Sequence, residues 1–171
     1  MARALIVGCG CRGRALGERL VDEGWAVRGT TRSDDRAAAI ERAGLEPAVA
    51  NPDRPATLLD LVGDVTVVHW LLGSAQAEPE VVAAVHGPRL ERLLERMVDT
   101  PVRGFVYEAA GVVQAHHLER GTEIVRSAGE TWRIPFQIVK ADPADHAAWL
   151  DAMSRATLAL TRSEKGTASS E

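Results

Sequence analysis

The stretch Leu5-Ile6-Val7-Gly8-Cys9-Gly10-Cys11-Arg12-Gly13-Arg14-Ala15-Leu16-Gly17 decides the fold. A short apolar run leads straight into Gly-x-Gly-x-x-Gly, and a helical pattern follows at once. Each glycine has a separate task in such a turn. Gly8 allows the sharp exit from a strand, Gly10 lets the backbone approach a pyrophosphate with no Cβ in the way, and Gly13 permits close helix–strand packing. Phosphate oxygens would sit over the unpaired amides at the helix start, where the partial positive charge of the helix also lies. The order strand, turn, helix gives an otherwise weak motif its meaning as a dinucleotide site.

Outward from this loop, short apolar runs alternate with longer amphipathic ones. The pattern predicts strands over Ala4–Val7, Trp25–Thr30, Glu46–Ala50, Val65–Leu72, Gly104–Tyr107 and Ile134–Val139. Helices are expected over Arg14–Glu23, Asp34–Ala43, Pro55–Val62, Pro79–Val98 with a restart at Pro88, His116–Ala128, and Pro143 to Leu160. Ser33 and Asp142 are placed to cap helices, and Gly24 and Gly44 to end them. Residues 1–160 thus read as one domain, and Thr161–Glu171 as a polar, frayed tail. Strands joined by long crossovers imply an α/β protein with a doubly wound, mostly parallel six-stranded sheet in the order 3-2-1-4-5-6.

The 171 residues are enough for one domain with its own core, and 46% hydrophobic with 26% charged residues excludes disorder over most of the chain. A net charge of −4 argues against binding to a nucleic-acid backbone. The longest apolar run, Val65–Leu72, is interrupted by Thr66 and His69 and is too short to cross a bilayer. With the first strand starting at Ala4 there is no room for a leader, so a cytoplasmic location is expected. The two cysteines, Cys9 and Cys11, exclude a disulfide framework. They read either as redox-sensitive thiols or as small side chains fitting a crowded loop.

The end of the second strand selects the dinucleotide. A site for NAD carries Asp or Glu there to hold the ribose 2′-hydroxyl. This chain reads Arg28-Gly29-Thr30-Thr31-Arg32-Ser33 instead, and Arg32, helped by Arg12, is suited to a 2′-phosphate. The expected cofactor is therefore NADP, ahead of NAD.

Three segments carry a family resemblance: Gly8-Cys9-Gly10-Cys11-Arg12-Gly13, Gly24-Trp25-Ala26-Val27-Arg28-Gly29-Thr30-Thr31-Arg32-Ser33, and Asp64-Val65-Thr66-Val67-Val68-His69. Together they resemble an atypical short-chain dehydrogenase/reductase of the NAD-dependent epimerase/dehydratase superfamily, with a Rossmann fold. The resemblance covers about the first 110 residues, and the rest only by its strand–helix rhythm. It implies that Asn51, or Asp53 in a shifted register, contacts the adenine amine. The expected cofactor residues are then Gly8, Gly10, Cys11, Arg12, Gly13, Thr31, Arg32, Ser33, Asn51 and Asp53.

The resemblance also implies a catalytic Tyr and Lys one helical turn apart, with a positioning Ser. The chain departs from this pattern. Its only tyrosine is Tyr107, its lysines are Lys140 and Lys165, and Ala115 and Glu119 stand where the pair would be. The segment matching the serine position is Tyr107-Glu108-Ala109-Ala110-Gly111. His69 and Glu108, at the carboxyl ends of strands four and five, are the remaining candidates for moving a proton; a structural His against the cofactor is the alternative. His116, His117 and Glu119 read as surface residues, and no metal site is expected. Trp132, Trp149 and the segment Leu93–Val98 form either a homodimer contact or core.

No separate substrate lobe is expected, so a pocket for a small substrate would be small, open or completed by another subunit. Two functions stay open: an oxidoreductase acting on a small substrate, and a non-catalytic dinucleotide module serving as NADP(H) sensor or scaffold.

Overall fold

A computed structural model describes residues 1–167. Six apolar segments form the strands β1 (Arg3–Val7), β2 (Ala26–Thr31), β3 (Glu46–Val49), β4 (Val67–Trp70), β5 (Gly104–Glu108) and β6 (Phe136–Val139). They lie in one sheet in the order β3-β2-β1-β4-β5-β6, and every neighbouring pair is parallel. Buried on both faces, β1, β4 and β5 are almost wholly apolar, as central parallel strands must be.

Helices cover both faces. On one side Leu16 and Leu20 of α1 (Cys11–Asp22), Ile40 of α2 (Asp34–Arg42), and Trp149, Met153, Ala156 and Leu160 of α7 (His146–Thr167) pack onto Ala4, Ile6, Val67 and Val106. The other side is filled from α3 (Pro55–Leu59), α4 (Pro79–Val85), α5 (Pro88–Met97) and α6 (Ala115–Trp132). In α5 the buried residues are Leu90, Leu93, Leu94 and Met97, the i, i+3, i+4, i+7 stripe of a helix laid on a core. Pro88 starts α5 as a separate helix, because its fixed φ suits the first turn and its missing N–H is not needed there.

Several boundaries differ from the pattern-based reading. Helix α1 begins at Cys11 rather than Arg14, since the Arg14 amide already bonds the Gly10 carbonyl at 2.8 Å. Strand β4 stops at Trp70, and Leu71 and Leu72 turn out toward the ligand edge. Ser33 is the residue before α2 but its hydroxyl caps nothing; its amide takes the Thr31 hydroxyl oxygen, and its carbonyl accepts from the Arg36 amide. Helix α7 starts at His146 rather than Pro143. Asp142 is spent on the Ala144 amide, and the Asp145 carboxylate takes the Ala148 amide in its place. The same helix runs on to Thr167, where a frayed tail from Thr161 was expected; residues 168–171 lie outside the described residues. Gly24 and Gly44 end α1 and α2 with φ of +96° and +82°, as their positions foretold.

Trp149 is fully buried within the chain, as are Leu93 and Leu94. They belong to the core rather than to a subunit contact; Val98 remains exposed.

Candidate functional site: the cleft at the strand ends

Between β1 and β4 the strand order reverses, and the connections from these two strands run to opposite faces of the sheet. A crevice opens at that point along the carboxyl ends of the strands. Here it is a cleft of about 640 Å³, in the size range of small-molecule sites.

Its middle is the glycine loop. Gly8 has φ of +83°, and a Cβ there would stand 2.5 Å from the Leu71 carbonyl oxygen, so no other residue fits without moving the chain. Gly10 differs. A Cβ on it would meet no atom within 4 Å and would project into open space, which is the shape needed for a ligand to come up against the backbone. Gly10 precedes α1, and no side chain caps the helix start. The first-turn amides are left for an external acceptor. A Cβ on Gly13 would stand 3.1 Å from the Gly8 carbonyl oxygen, so the helix packs closely on the strand end there. These features fit the pyrophosphate of a dinucleotide.

Cys9 and Cys11 differ sharply although two residues apart. Cys9 is buried, its sulfur seated where a Cβ on Gly29 would lie 2.5 Å away, and burial pushes its thiol up to about 12. It is a packing residue with no thiolate at neutral pH. Cys11 is exposed on the cleft lining.

One end of the cleft lies beyond β2. Thr31, Arg32 and Arg36 line it, the two arginines exposed; Arg12 of α1 also lines the cleft, near enough to Glu108 for its charge to act there. Arg36 is absent from the sequence-derived set, although it stands one helical turn after Arg32 in sequence. Asn51 and Pro52 also line the cleft. The Asn51 side-chain oxygen accepts from the Asp53 amide at 3.0 Å, and Asp53 itself turns to an ion pair with Arg89 at 3.1 Å. Of the expected set, Ser33 and Asp53 are not among the lining residues.

The other end lies over β4 and β5. Leu71, Leu72, Ser74, Glu108 and Trp149 line it. Glu108, only 2% exposed, accepts the Gly73 amide on Oε1 at 2.8 Å and the Trp149 indole N–H on Oε2 at 2.7 Å. Burial raises its pKa, while these two bonds and the Arg12 charge pull it down. His69 sits deeper. It pairs across the sheet with Ile6 and Val106, is fully buried beneath α7, and bonds Thr157 at 2.8 Å. The Thr157 hydroxyl donates to the Met153 carbonyl, so the ring Nε2 is the donor in the pair. Burial lowers the His69 pKa to about 4 and keeps the ring neutral. His69 and Glu108, read together as proton movers, are thus held by different partners and at different depths.

Tyr107 faces the opposite layer. Its hydroxyl lies 2.6 Å from His86 Nδ1, and His86 Nε2 is 2.8 Å from the Leu72 carbonyl. A carbonyl only accepts, so His86 donates through Nε2 and takes the Tyr107 proton on Nδ1. Ala115, at the start of α6, and Glu119, one turn on, are exposed.

No family model matches the chain, and no curated protein does. Solved structures do. A short-chain dehydrogenase/reductase superfamily protein from Agrobacterium tumefaciens with bound NAD is 21% identical with a TM-score of 0.64, covering 80% of this chain and 48% of that one. Vestitone reductase from alfalfa is 15% identical with a TM-score of 0.61, over 81% and 56% of the two chains. UDP-glucuronic acid 4-epimerase from Bacillus cereus in complex with NAD is 13% identical with a TM-score of 0.62, over 80% and 54%. The chain spans about half the length of these structures. With the strand order, the double winding and the glycine turn, the likeness shows a Rossmann fold, one that these dehydrogenase, reductase and epimerase structures share.

Proposed function

We propose that residues 1–160 form a dinucleotide-binding domain that takes NADP(H) in preference to NAD(H). The observation that carries this reading is the pair Arg32 and Arg36 on the cleft rim beyond β2, next to an uncapped helix start that faces open space at Gly10. Arginine forks match a phosphate in two-point contact, whereas an NAD site needs a carboxylate there. Gly8, Gly10, Cys11, Arg12 and Gly13 would hold the pyrophosphate, Thr31, Arg32 and Arg36 the 2′-phosphate, and Asn51 the adenine edge. When bound, the nicotinamide supplies hydride transfer, and the protein's part is to hold and orient it. The protein then serves as an oxidoreductase on a small substrate.

A specific observation favours a second reading, a non-catalytic module that senses or carries the dinucleotide. The sole tyrosine, Tyr107, is spent on His86 in the interior and does not line the cleft. Calorimetric titration with NADPH and NADH at matched salt tests the shared claim. NADPH is expected to bind more tightly, and binding of neither overturns both readings. A panel of carbonyls, quinones and flavins with NADPH separates the two: turnover favours the oxidoreductase, tight binding without turnover the module.

A further inference from the structure

Glu108 is a buried carboxyl group on the cleft lining that sits at a defined distance from the arginine end. Arg32 follows β2 and Glu108 ends β5, and β1 and β4 lie between them. Three strand spacings separate the two strands, roughly 14 Å. If Arg32 and Arg36 hold the 2′-phosphate and Gly10 the pyrophosphate, the nicotinamide half has only the β4–β5 side left, over Leu71, Leu72, Glu108 and Trp149.

The hydrogen bonds show which form of Glu108 the site is built for. Each carboxyl oxygen receives an N–H, from Gly73 on one side and from the Trp149 indole on the other. Both partners are donors, so both bonds favour the anion, as does the Arg12 charge, against the burial that raises the carboxyl's pKa. The anion, where present, stands among apolar walls where its charge acts strongly. A buried charge with neutral donors and, among the described residues, no ion pair within 4 Å favours any cation that reaches it.

We propose that Glu108 is a fixed counter-charge that makes the cleft favour the oxidised, cationic nicotinamide over the reduced, neutral one. The inference rests on the dinucleotide reading above and adds a redox-state preference to it. A difference in affinity between the two forms is what a sensor of the oxidised-to-reduced ratio requires, whereas in a reductase it would hold the oxidised product back.

The test uses the full chain, titrated with NADP+ and with NADPH at one pH and salt concentration, alongside Glu108→Gln, Trp149→Phe and Arg32→Ala. The wild type is expected to bind NADP+ more tightly than NADPH, and Glu108→Gln to shrink that ratio by about tenfold. Arg32→Ala should weaken both forms equally and leave the ratio alone, since both carry the 2′-phosphate. Trp149→Phe leaves the carboxyl in place but removes one of the two donors that favour its anion, so the ratio should shrink less than in Glu108→Gln; if Glu108→Gln does not fold, a Trp149→Phe ratio equal to that of the wild type overturns the counter-charge. Binding of both forms with a ratio that Glu108→Gln leaves unchanged, or a wild type that prefers NADPH, overturns the counter-charge alone. Binding of neither form overturns the dinucleotide reading, and the inference with it.

Discussion

The indole of Trp149 reaches across from the first turns of α7 to the end of β5 and donates a 2.7 Å hydrogen bond to the Glu108 carboxylate. Two residues 41 positions apart in sequence are tied at the floor of the cleft by one bond to a buried carboxylate. Trp149→Phe keeps the ring and removes the donor. It is expected to cost about 1.5–3 kcal/mol, the range for a hydrogen bond to a charged group, read as a lower denaturant midpoint at unchanged slope. An unchanged midpoint would show that the bond carries no net stability.

Gly8 and Gly10 are two residues apart in one loop and should answer an added methyl in opposite ways. Gly8→Ala meets the Leu71 carbonyl oxygen at 2.5 Å in a left-handed backbone, and should lose about 1–3 kcal/mol of stability. Gly10→Ala meets nothing within 4 Å and should melt at or slightly above the wild-type temperature. Its NADPH affinity should nevertheless fall by at least about tenfold, because the methyl takes the place of a phosphate against the backbone. Retained affinity in Gly10→Ala would remove the pyrophosphate from this loop.

Arg32→Ala is expected to weaken NADPH by about 1–3 kcal/mol and leave NADH nearly unchanged, with Arg36→Ala producing a smaller loss of the same sign. Equal losses for the two cofactors would take the 2′-phosphate away from this end of the cleft.

His69 makes stability depend on acidity. Its ring has an ordinary pKa of 6.5 in the unfolded chain and about 4 in the folded one, since burial disfavours the charged form. Above pH 6.5 the ring is neutral in both states. As the pH falls from 6.5 toward 4 the unfolded chain takes up the proton first, and stability drains by up to about 3 kcal/mol. Denaturant midpoints between pH 7 and 4 should fall less steeply in His69→Gln, and equal slopes would overturn the assignment.

Tyr107→Phe strands the acceptor nitrogen of His86, which lies in the core. A loss of about 1–3 kcal/mol of stability is expected, with NADPH affinity unchanged. Lost turnover of any substrate in a variant that still binds NADPH would instead give the hydroxyl a part in chemistry.

Much of this architecture is legible in the sequence. The run Leu5–Val7, the glycines after it and the apolar run through Val67 and Val68 set strand, turn and central strand by local chemistry, and the sheet order followed; the central strand itself starts at Val67, two residues later than the β-branched run suggests. What escaped was settled by competition between neighbours or by distant contacts. Ser33 lost its capping role because the Thr31 hydroxyl takes up its amide, and Asp145 displaced Asp142 at the start of α7. His69 looked like an edge residue by counting along its strand. Leu71 and Leu72 form the edge instead, which leaves His69 one layer down under Thr157. Trp149 could not be placed at the cleft from sequence, because its partner lies on another element; Arg36 was within reach, one helical turn beyond Arg32.

The two cysteines supply a count of how often this fold opens. Cys9 is packed over Gly29 in the layer that α1 and α2 cover, and Cys11 stands exposed on the lining of the cleft. An alkylating reagent should therefore add one label quickly and a second only when these helices lift from the sheet, so the slow label times local opening of that layer. The fast label watches the opposite event, for a dinucleotide lying on the loop would shade Cys11 while leaving the slow rate to report whether the layer has tightened beneath it.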